Sequence, residues 1–192
     1  MARTQPSQVK PGPRERLLRA ARDLTYRDGV HVGVDAILKE ADAARRSLYE
    51  HFGGKDGLIA EMLRESAAAD EAWYRTTLDA CGTDPRARIL GLFDALDPLV
   101  CAPEFRGCRF TAADLSLADP ANPAHGEARG HKQRVHDMLR RELERLGHPA
   151  PALGAAQLQL LIEGVMVRAL MDPESHPARA AKQLAHSVVG PP

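Results

Sequence analysis

The amino-acid sequence predicts an all-α fold of about nine helices. Ala, Leu, Arg and Glu dominate the long segments of the chain, and Pro, Gly and Asp separate these segments. Few stretches alternate β-branched and polar residues in the way that strands do. With 192 residues, the chain is long enough to bury a core without disulfide or metal support.

Three helices are predicted near the N-terminus, behind a flexible basic tail over residues 1–12. The first spans Pro13–Asp28, because proline suits a first helical turn and Gly29 suits a helix end. Apolar residues at helical spacing then predict a short helix over Val34–Glu40. A third helix is expected to begin near Ala44, after a connection of about three residues.

Six further helices are predicted from the same spacing: roughly 56–80, 85–100, a short one ending near 118, 124–146, 152–171 and 173–189. Asp84 followed by Pro85, and Asp172 followed by Pro173, suit an N-cap and a first helical turn. Gly147 suits a C-terminal stop.

The charge is distributed unevenly although the formal net charge is zero. Residues 1–55 carry 11 Lys/Arg against 7 Asp/Glu, whereas residues 56–192 carry 15 against 19. This asymmetry suggests a nucleic-acid-binding end joined to a neutral or acidic body. The chain has no apolar run of about 18 residues, and no apolar stretch follows its basic N-terminus, so we expect a cytoplasmic protein without a membrane partner.

No enzymatic or metal-binding pattern is found in the sequence. There is no P-loop, GxSxG, HExxH or Rossmann glycine motif. The odd number of cysteines without CxxC spacing predicts reduced thiols: Cys81, Cys101 and Cys108. Three histidines of the body lack the i, i+4 spacing of paired ligands: His125, His131 and His136. We therefore expect no catalytic residues, no metal site and no cofactor.

The stretch ARRSLYEHFGGKDGL, residues 44–58, combines an apolar and a polar helix face. At helical spacing Leu48 and Phe52 lie on the inner face, and Arg46 points away from it. Arginine can bridge guanine O6 and N7 in the DNA major groove, and hydroxyl groups can bind phosphates. Two short helices joined by a tight turn therefore predict a helix-turn-helix, with the second helix as the recognition helix.

These residues also carry a family resemblance, which covers residues 14–60. The segment VDAILKEADAARRSLYEHFGGKDGLI, preceded by Leu17, Ala20, Ala21 and Gly29, resembles the N-terminal domain of TetR-family transcriptional regulators. Its most specific part is LYEHF followed by Lys55 and Leu58. The resemblance implies a dimeric DNA-binding repressor, with a DNA-binding domain over 13–55 and a helical ligand-binding and dimerisation domain over 56–192.

The resemblance implies that six residues contact DNA: Arg45, Arg46, Ser47, Tyr49, His51 and Lys55. The two arginines occupy the variable positions that read base sequence. The serine and the lysine would bind phosphates, and the tyrosine and the histidine would touch the backbone or base edges. The alternative for the histidine is a capping or packing role.

Three positions depart from the family pattern. Asp42 replaces the usual Gly of the turn, Ala44 replaces a Ser cap, and Gly33 replaces a Thr that opens the preceding helix. Asp35 and Glu50 also place carboxylates near the DNA-facing side. We expect these departures to weaken operator affinity rather than to change the fold.

For the body, the resemblance implies that helices 152–171 and 173–189 pair with their mates in a homodimer, which would match a palindromic operator. Apolar side chains from several helices are candidates for an effector pocket, although each alternatively belongs to plain core: Met62, Trp73, Phe93, Leu96, Phe105, Phe110, Met138 and Met166. An aromatic content of 4% argues against a large aromatic cage and favours a modest apolar or amphipathic effector.

Two alternatives remain open at this point. The FRGCRF segment resembles a Gly-Cys turn of some TetR-like regulators, which implies a buried Cys108. The competing interpretation is a redox switch formed by Cys101 and Cys108, which are close in sequence and lie near Arg106 and Arg109, two residues that can lower a thiol pKa. The chain could also be an all-helical enzyme or a ligand-binding adaptor that keeps the helix-turn-helix as a scaffold. The sequence does not separate a repressor from an activator.

Overall fold

The computed structural model describes residues 11–190, so residues 1–10 of the predicted tail lie outside the described range. Nine α-helices and a 3-10 turn lie within it: α1 (Pro13–Asp28), α2 (Val34–Glu40), α3 (Arg45–Phe52), α4 (Lys55–Ala80), α5 (Pro85–Val100), α6 (Arg109–Leu117), α7 (Pro123–Arg145), α8 (Pro151–Met171), the 3-10 turn (Pro173–Ser175) and α9 (Pro177–Val189). The predicted all-α fold of nine helices is confirmed.

A first hydrophobic core holds the N-terminal helices together. Leu17 of α1, Ile37 of α2, Leu48 of α3 and Leu58 of α4 are all at most 1% exposed in this core. The core continues along α4 to Ala67. The N-terminal half of α4 therefore packs as a fourth helix of the N-terminal end of the protein.

A second hydrophobic core fills the body. It joins the C-terminal half of α4 to α5, α7, α8 and α9, with Leu92, Leu96 and Leu158 completely buried at its centre. Helix α9 packs against both α5 and α8. Helix α4 thus contributes one half of its length to each core.

Helices α6 and α7 also reach into the first core. Phe110 and Ala113 of α6, with Ala124 and Ala128 of α7, are at most 3% exposed there. The predicted boundary after residue 55 falls at the start of α4, whereas the packing of the first core extends beyond it.

The start of the last helix differs from its prediction. Asp172 does not cap a helix, because its carboxylate pairs with Arg168 of α8 at 2.9 Å. Pro173 opens only a 3-10 turn, and the chain reverses at His176, which adopts a left-handed conformation (φ 47°). Helix α9 begins at Pro177, so the predicted N-terminus at residue 173 is four residues early.

Within the described part of the chain, α8 is the one helix long and apolar enough to cross a membrane by length and composition. A third of its most apolar window is buried inside the protein. Since core helices of soluble proteins pass the same test, this is weak evidence for a membrane span.

Candidate DNA-binding surface and effector cavity

The turn between α2 and α3 is closed by backbone hydrogen bonds. Asp42 adopts a left-handed conformation (φ 46°), and the amide of Ala43 donates to the carbonyl of Leu38 at 3.1 Å. This pairing is the usual C-terminal closure of a helix, normally with Gly at the left-handed position. The Arg16 guanidinium of α1 donates to the carbonyls of Ala41 at 2.8 Å and of Asp42 at 2.6 Å. Arg16 thus fixes a turn that lacks its usual glycine.

Helix α3 buries one face and exposes the other. Leu48 is 1% exposed in the first core, and Phe52 packs against the same core. Ala44 precedes the helix in an extended conformation and provides no side-chain cap, as expected from the missing serine. The side chains on the outer side form an exposed set, here called the reading face: Arg45, Arg46, Tyr49, Glu50 and His51. Ser47 and Lys55 are half-buried beside the reading face.

Both arginines of the reading face are paired with carboxylates. Arg45 donates to Asp35 of α2, and Arg46 Nε lies 2.5 Å from Glu50 Oε1 on the next turn of α3. All four side chains are at least half exposed. Exposed ion pairs contribute about 0–1 kcal/mol, so these pairs can open at low cost when a stronger partner arrives.

A tight two-residue turn connects α3 to α4. Gly53 (φ 70°) and Gly54 (φ 142°) adopt conformations that favour glycine, and Lys55 is the first residue of α4. At Gly57 the two helices touch, because a Cβ there would lie 2.0 Å from the Phe52 carbonyl oxygen. The orientation of the reading face on α4 therefore depends on the absence of a side chain at Gly57.

A cavity of about 440 Å³ lies in the body, between α4, α5, α7, α8 and the segment that leads into α6. Its lining combines aromatic and aliphatic side chains with several polar groups: Tyr26, Ala69, Asp70, Trp73, Tyr74, Leu96, Leu99, Ala102, Glu104, Phe105, Gly107, Cys108, Arg109, His131, Lys132, Ile162 and Met166.

The structure brings four of the eight predicted pocket residues to this cavity: Trp73, Leu96, Phe105 and Met166. The other four lie elsewhere. Met62 is on the half of α4 that faces the first core, and Phe110 packs in the same core. Phe93 is buried at the centre of the second core, and Met138 packs against that core. These four side chains belong to the two cores and do not line the cavity.

The polar side of the cavity was not predicted from the sequence. Lys132 of α7 donates to the carboxylate of Glu163 on α8 and lies 3.1 Å from Cys108 Sγ. Burial lowers the pKa of Lys132, but Cys108 and Glu163 outweigh burial and leave its pKa raised. Burial also raises the pKa of Asp70 on α4. These groups come from three helices and the loop before α6, so no sequence spacing marks them as a cluster.

The cysteines depart from the sequence-based expectations. Cys108 is half-buried at the cavity wall rather than buried. Burial, reinforced by Asp97, raises the pKa of Cys101, which is opposite to the lowering that a redox switch requires. Arg106 donates to the carbonyls of Pro103 and Phe105. The structure therefore offers no support for Cys101 as a reactive thiol.

His131 is a buried, neutral histidine between the cavity and the first core. It is 3% exposed and stacks on Phe110 with 4.0 Å between ring centroids. Its Nδ1 has no hydrogen-bond partner among residues 11–190 and lies 3.5 Å from the Glu71 carboxylate. Burial, assisted by Lys132, lowers the pKa of His131 to about 4 in spite of Glu71.

This shift predicts a loss of stability in mild acid. The unfolded chain, with an ordinary histidine pKa of about 6.5, binds the proton more tightly than the folded protein, so stability present above that pH is lost as the pH falls toward 4. Between pH 7 and pH 5 His131 should account for about 2 kcal/mol. Urea unfolding at both pH values measures it. The loss of stability should be smaller by that amount in His131→Phe and in His131→Gln than in the wild type. If both variants lose as much stability as the wild type, the assignment to His131 is contradicted.

The cavity wall is connected to the N-terminal helices through Tyr26 of α1. The Tyr26 hydroxyl accepts a hydrogen bond from the Arg106 amide at 2.9 Å, and the Arg109 guanidinium lies 4.7 Å from the centre of the Tyr26 ring. A molecule in the cavity would therefore touch residues that hold α1 as well as residues of α4.

Comparison with protein families gives two matches. Residues 17–62 match the family described as "Bacterial regulatory proteins, tetR family". Residues 85–190, more than half of the chain, match "BetI-type transcriptional repressor, C-terminal". The first match spans the helix-turn-helix, and the second spans the body from the start of α5 to the end of α9.

Individual relatives agree with these matches. A solved structure described as that of a TetR-type transcriptional regulator from Streptomyces avermitilis is 37% identical, with a TM-score of 0.82 over 93% of this chain and 98% of that one. The HTH-type transcriptional regulator YjdC of Escherichia coli (strain K12) is 24% identical over 92% of this chain and 93% of its own length. A cysteine mutant of the regulator CifR, solved with 26-base-pair operator DNA, shares the fold at 17% identity, with a TM-score of 0.71 over 97% and 98% of the two chains.

The matched family is one of regulators and not of enzymes, so the alternative of an all-helical enzyme is wrong. The chain therefore belongs to the TetR family, as a DNA-binding transcriptional regulator with an N-terminal helix-turn-helix domain and a BetI-type C-terminal domain.

Proposed function

We propose that the protein is a repressor that binds a palindromic operator as a homodimer in the cytoplasm and leaves the DNA when a small amphipathic molecule fills the cavity. The observation that carries this proposal is the shared cavity wall, in which Tyr26 of α1 and Trp73 of α4 face residues of α5, α7 and α8. A ligand that prefers one spacing of these helices would shift the population of states in which the two reading faces fit DNA.

The proposed contacts follow from the reading face. Arg45 and Arg46 read bases, each good bidentate contact contributing ~1–3 kcal/mol of discrimination. Tyr49 and His51 touch the backbone or base edges, and Ser47 and Lys55 bind phosphates. Lys55 also stands at the N-terminus of α4, where backbone N–H groups favour a phosphate.

DNA binding is tested by selecting genomic fragments with the purified protein and titrating the recovered site at several salt concentrations. Arg45→Ala or Arg46→Ala should each weaken specific binding by about 10- to 100-fold. Glu50→Gln should strengthen it, because Arg46 loses its competing carboxylate. Arg140→Ala is the matched control, since Arg140 also pairs with a glutamate four residues later but lies on α7. Equal affinity of all four variants would refute the proposed recognition helix.

The homodimer is proposed to form through α8 and α9. These helices carry large apolar side chains that are each at least 51% exposed: Leu153, Leu160, Val167, Leu170, Met171 and Leu184. A Cβ at Gly164 would meet nothing within 4 Å, so this position of α8 is open to a close neighbour. Such a patch is typical of an interface, and it accounts for the apolar character of α8 without a membrane.

Light scattering tests this interface. The wild-type chain should have the mass of a dimer, and Leu160→Glu should be a monomer, because it places a charge in the middle of the patch. Leu115→Glu is the control, since Leu115 is 75% exposed on α6, outside the patch. A monomeric wild type, or a dimer that survives Leu160→Glu, would refute this interface while leaving the cavity untouched.

The proposed effector is amphipathic because the cavity has one apolar and one polar side. Trp73, Phe105 and Met166 would contact its apolar part, and Asp70 and Lys132 would face its polar part. Trp73 is the single tryptophan of the chain, so its fluorescence reports occupancy of the cavity directly.

Anilinonaphthalene sulfonate, an amphipathic probe, should quench Trp73 by energy transfer when it enters the cavity. Ala69→Phe should block this quenching, because Ala69 lines the cavity. Ala68→Phe should leave the quenching unchanged, because Ala68 does not line the cavity. Release of operator DNA by compounds that quench wild type but not Ala69→Phe would support effector control. Binding of such compounds without any effect on DNA affinity would refute it.

A further inference from the structure

Three potential metal ligands converge at the junction of α5 and α9, outside the cavity and the reading face. A carboxylate oxygen of Asp97, Sγ of Cys101 and Nδ1 of His176 all lie within 4.8 Å of one another. His176 Nδ1 is 3.1 Å from Asp97 Oδ1 and 3.6 Å from Cys101 Sγ. We infer that these three side chains form a binding site for a zinc-like divalent cation.

The spacing of the donor atoms fits such an ion. Bonds of about 2.0 Å to oxygen and nitrogen and 2.3 Å to sulfur, in a tetrahedron, separate the ligand atoms by about 3.3–3.7 Å. The two distances from His176 Nδ1 lie at or just below this range, so small side-chain rotations would admit an ion between the three atoms. A thiolate, an imidazole and a carboxylate are all accepted by Zn²⁺, whereas Mg²⁺ and Ca²⁺ prefer oxygen alone.

The fold holds the three side chains in place. Asp97 and Cys101 are four residues apart at the end of α5, so they lie on one face of the helix. His176 reaches them from the turn before α9, where its left-handed backbone conformation (φ 47°) is rare for a residue with a side chain. Arg179 Nε donates to Asp97 Oδ2 at 3.0 Å and so fixes the orientation of this carboxylate.

Nδ1 of His176 faces the carboxylate of Asp97 and the sulfur of Cys101, whose thiol donates to the carbonyl of Pro173 at 3.3 Å. Nδ1 of His176 lies 3.1 and 3.2 Å from the two oxygens of Asp97 and also faces Cys101 Sγ. An ion would bind the Nδ1 lone pair, one Asp97 oxygen and the Cys101 thiolate; the thiol proton passes to solvent, and water completes the coordination. All three residues are half-buried, so the site can be reached from solvent.

Co²⁺ is the probe, because a thiolate bound to it gives a near-ultraviolet charge-transfer band. The untagged full-length chain, purified in reductant and stripped with a chelator, is titrated with Co²⁺ and then with Zn²⁺. One Co²⁺ per chain with this band, displaced by Zn²⁺, is the expected result. Cys101→Ser should lose the band, and His176→Gln and Asp97→Asn should weaken Co²⁺ binding on the order of tenfold or more.

Cys81→Ser and Cys108→Ser are the matched controls and should keep the band, because neither cysteine belongs to the cluster. Zn²⁺ should also raise the Tm of the wild type but not of Cys101→Ser, since a ligand stabilises only the fold that binds it. A wild type without the band, or a band that survives Cys101→Ser, would overturn the inference whether or not the variants fold. Neither result depends on DNA, dimerisation or the cavity.

Discussion

Gly57→Ala is expected to lower the free energy of unfolding by about 3 kcal/mol or more and to abolish specific DNA binding. The added Cβ would lie 2.0 Å from the Phe52 carbonyl oxygen and 3.1 Å from its carbonyl carbon. These are backbone atoms and cannot rotate away, so α3 must shift relative to α4. Urea unfolding followed by circular dichroism measures the stability, and titration of the selected operator measures binding.

Gly126→Ala is the matched control for this substitution. Gly126 also lies near the start of a helix, but a Cβ there would meet nothing within 4 Å. Alanine should stabilise this position by up to about 1 kcal/mol, because glycine is the poorer helix former. A Gly57→Ala variant that is as stable as wild type and binds the operator equally well would show that the corner between α3 and α4 is not rigid.

Glu142→Ala is expected to lower the free energy of unfolding by about 3 kcal/mol. Glu142 of α7 is 6% exposed, and its carboxylate accepts two hydrogen bonds from the Arg88 guanidinium of α5, each 3.0 Å long. Arg145 adds a third at 2.7 Å. Loss of the carboxylate leaves Arg88, itself only 12% exposed, with Asp79 as its remaining acidic partner. Urea unfolding measures the change.

Glu144→Ala provides the comparison for Glu142→Ala. Glu144 is on the same helix and also pairs with an arginine, Arg140, but both side chains are more than a third exposed. Its removal should cost less than about 1 kcal/mol, as for other exposed pairs. Equal effects of the two substitutions would mean that burial adds nothing to the Arg88 pair.

The helix boundaries could be predicted wherever the local signal was unambiguous. Pro13 and Gly29 bracket α1, and Asp84 caps α5 through the amides of Arg86 and Ala87, as the sequence predicts. The start of α9 could not be predicted, because two residue pairs within five positions, 172–173 and 176–177, both carry a proline that suits a first turn. In the structure Asp172 pairs with Arg168 of α8 instead of capping a helix, and α9 begins at the second proline, Pro177.

A candidate site could be predicted from the sequence when its residues lie close together along the chain, and not when they come from distant helices. The reading face lies on one short helix, so the helical period alone places Leu48 inside and Arg46 outside. The cavity is made by several helices, and the same residue types fill core and cavity: Trp73 lines the cavity whereas Phe93 is completely packed. The Asp97 cluster needs the contact between α5 and the turn before α9, which no local pattern contains.

The first core has a consequence for how this protein can be divided. Phe110 and Ala113 of α6, with Ala124 and Ala128 of α7, complete the packing around α1 and α4. A fragment cut within α4 would leave Met62 and its neighbours facing water, so the DNA-binding end is not a portable module. Recombination or engineering that grafts a new DNA-binding end onto this body must carry compatible residues of α6 and α7 with it. The DNA-binding helices and the body that packs against them therefore form one structural unit, and a change of operator specificity by domain exchange would have to replace both sides of this core.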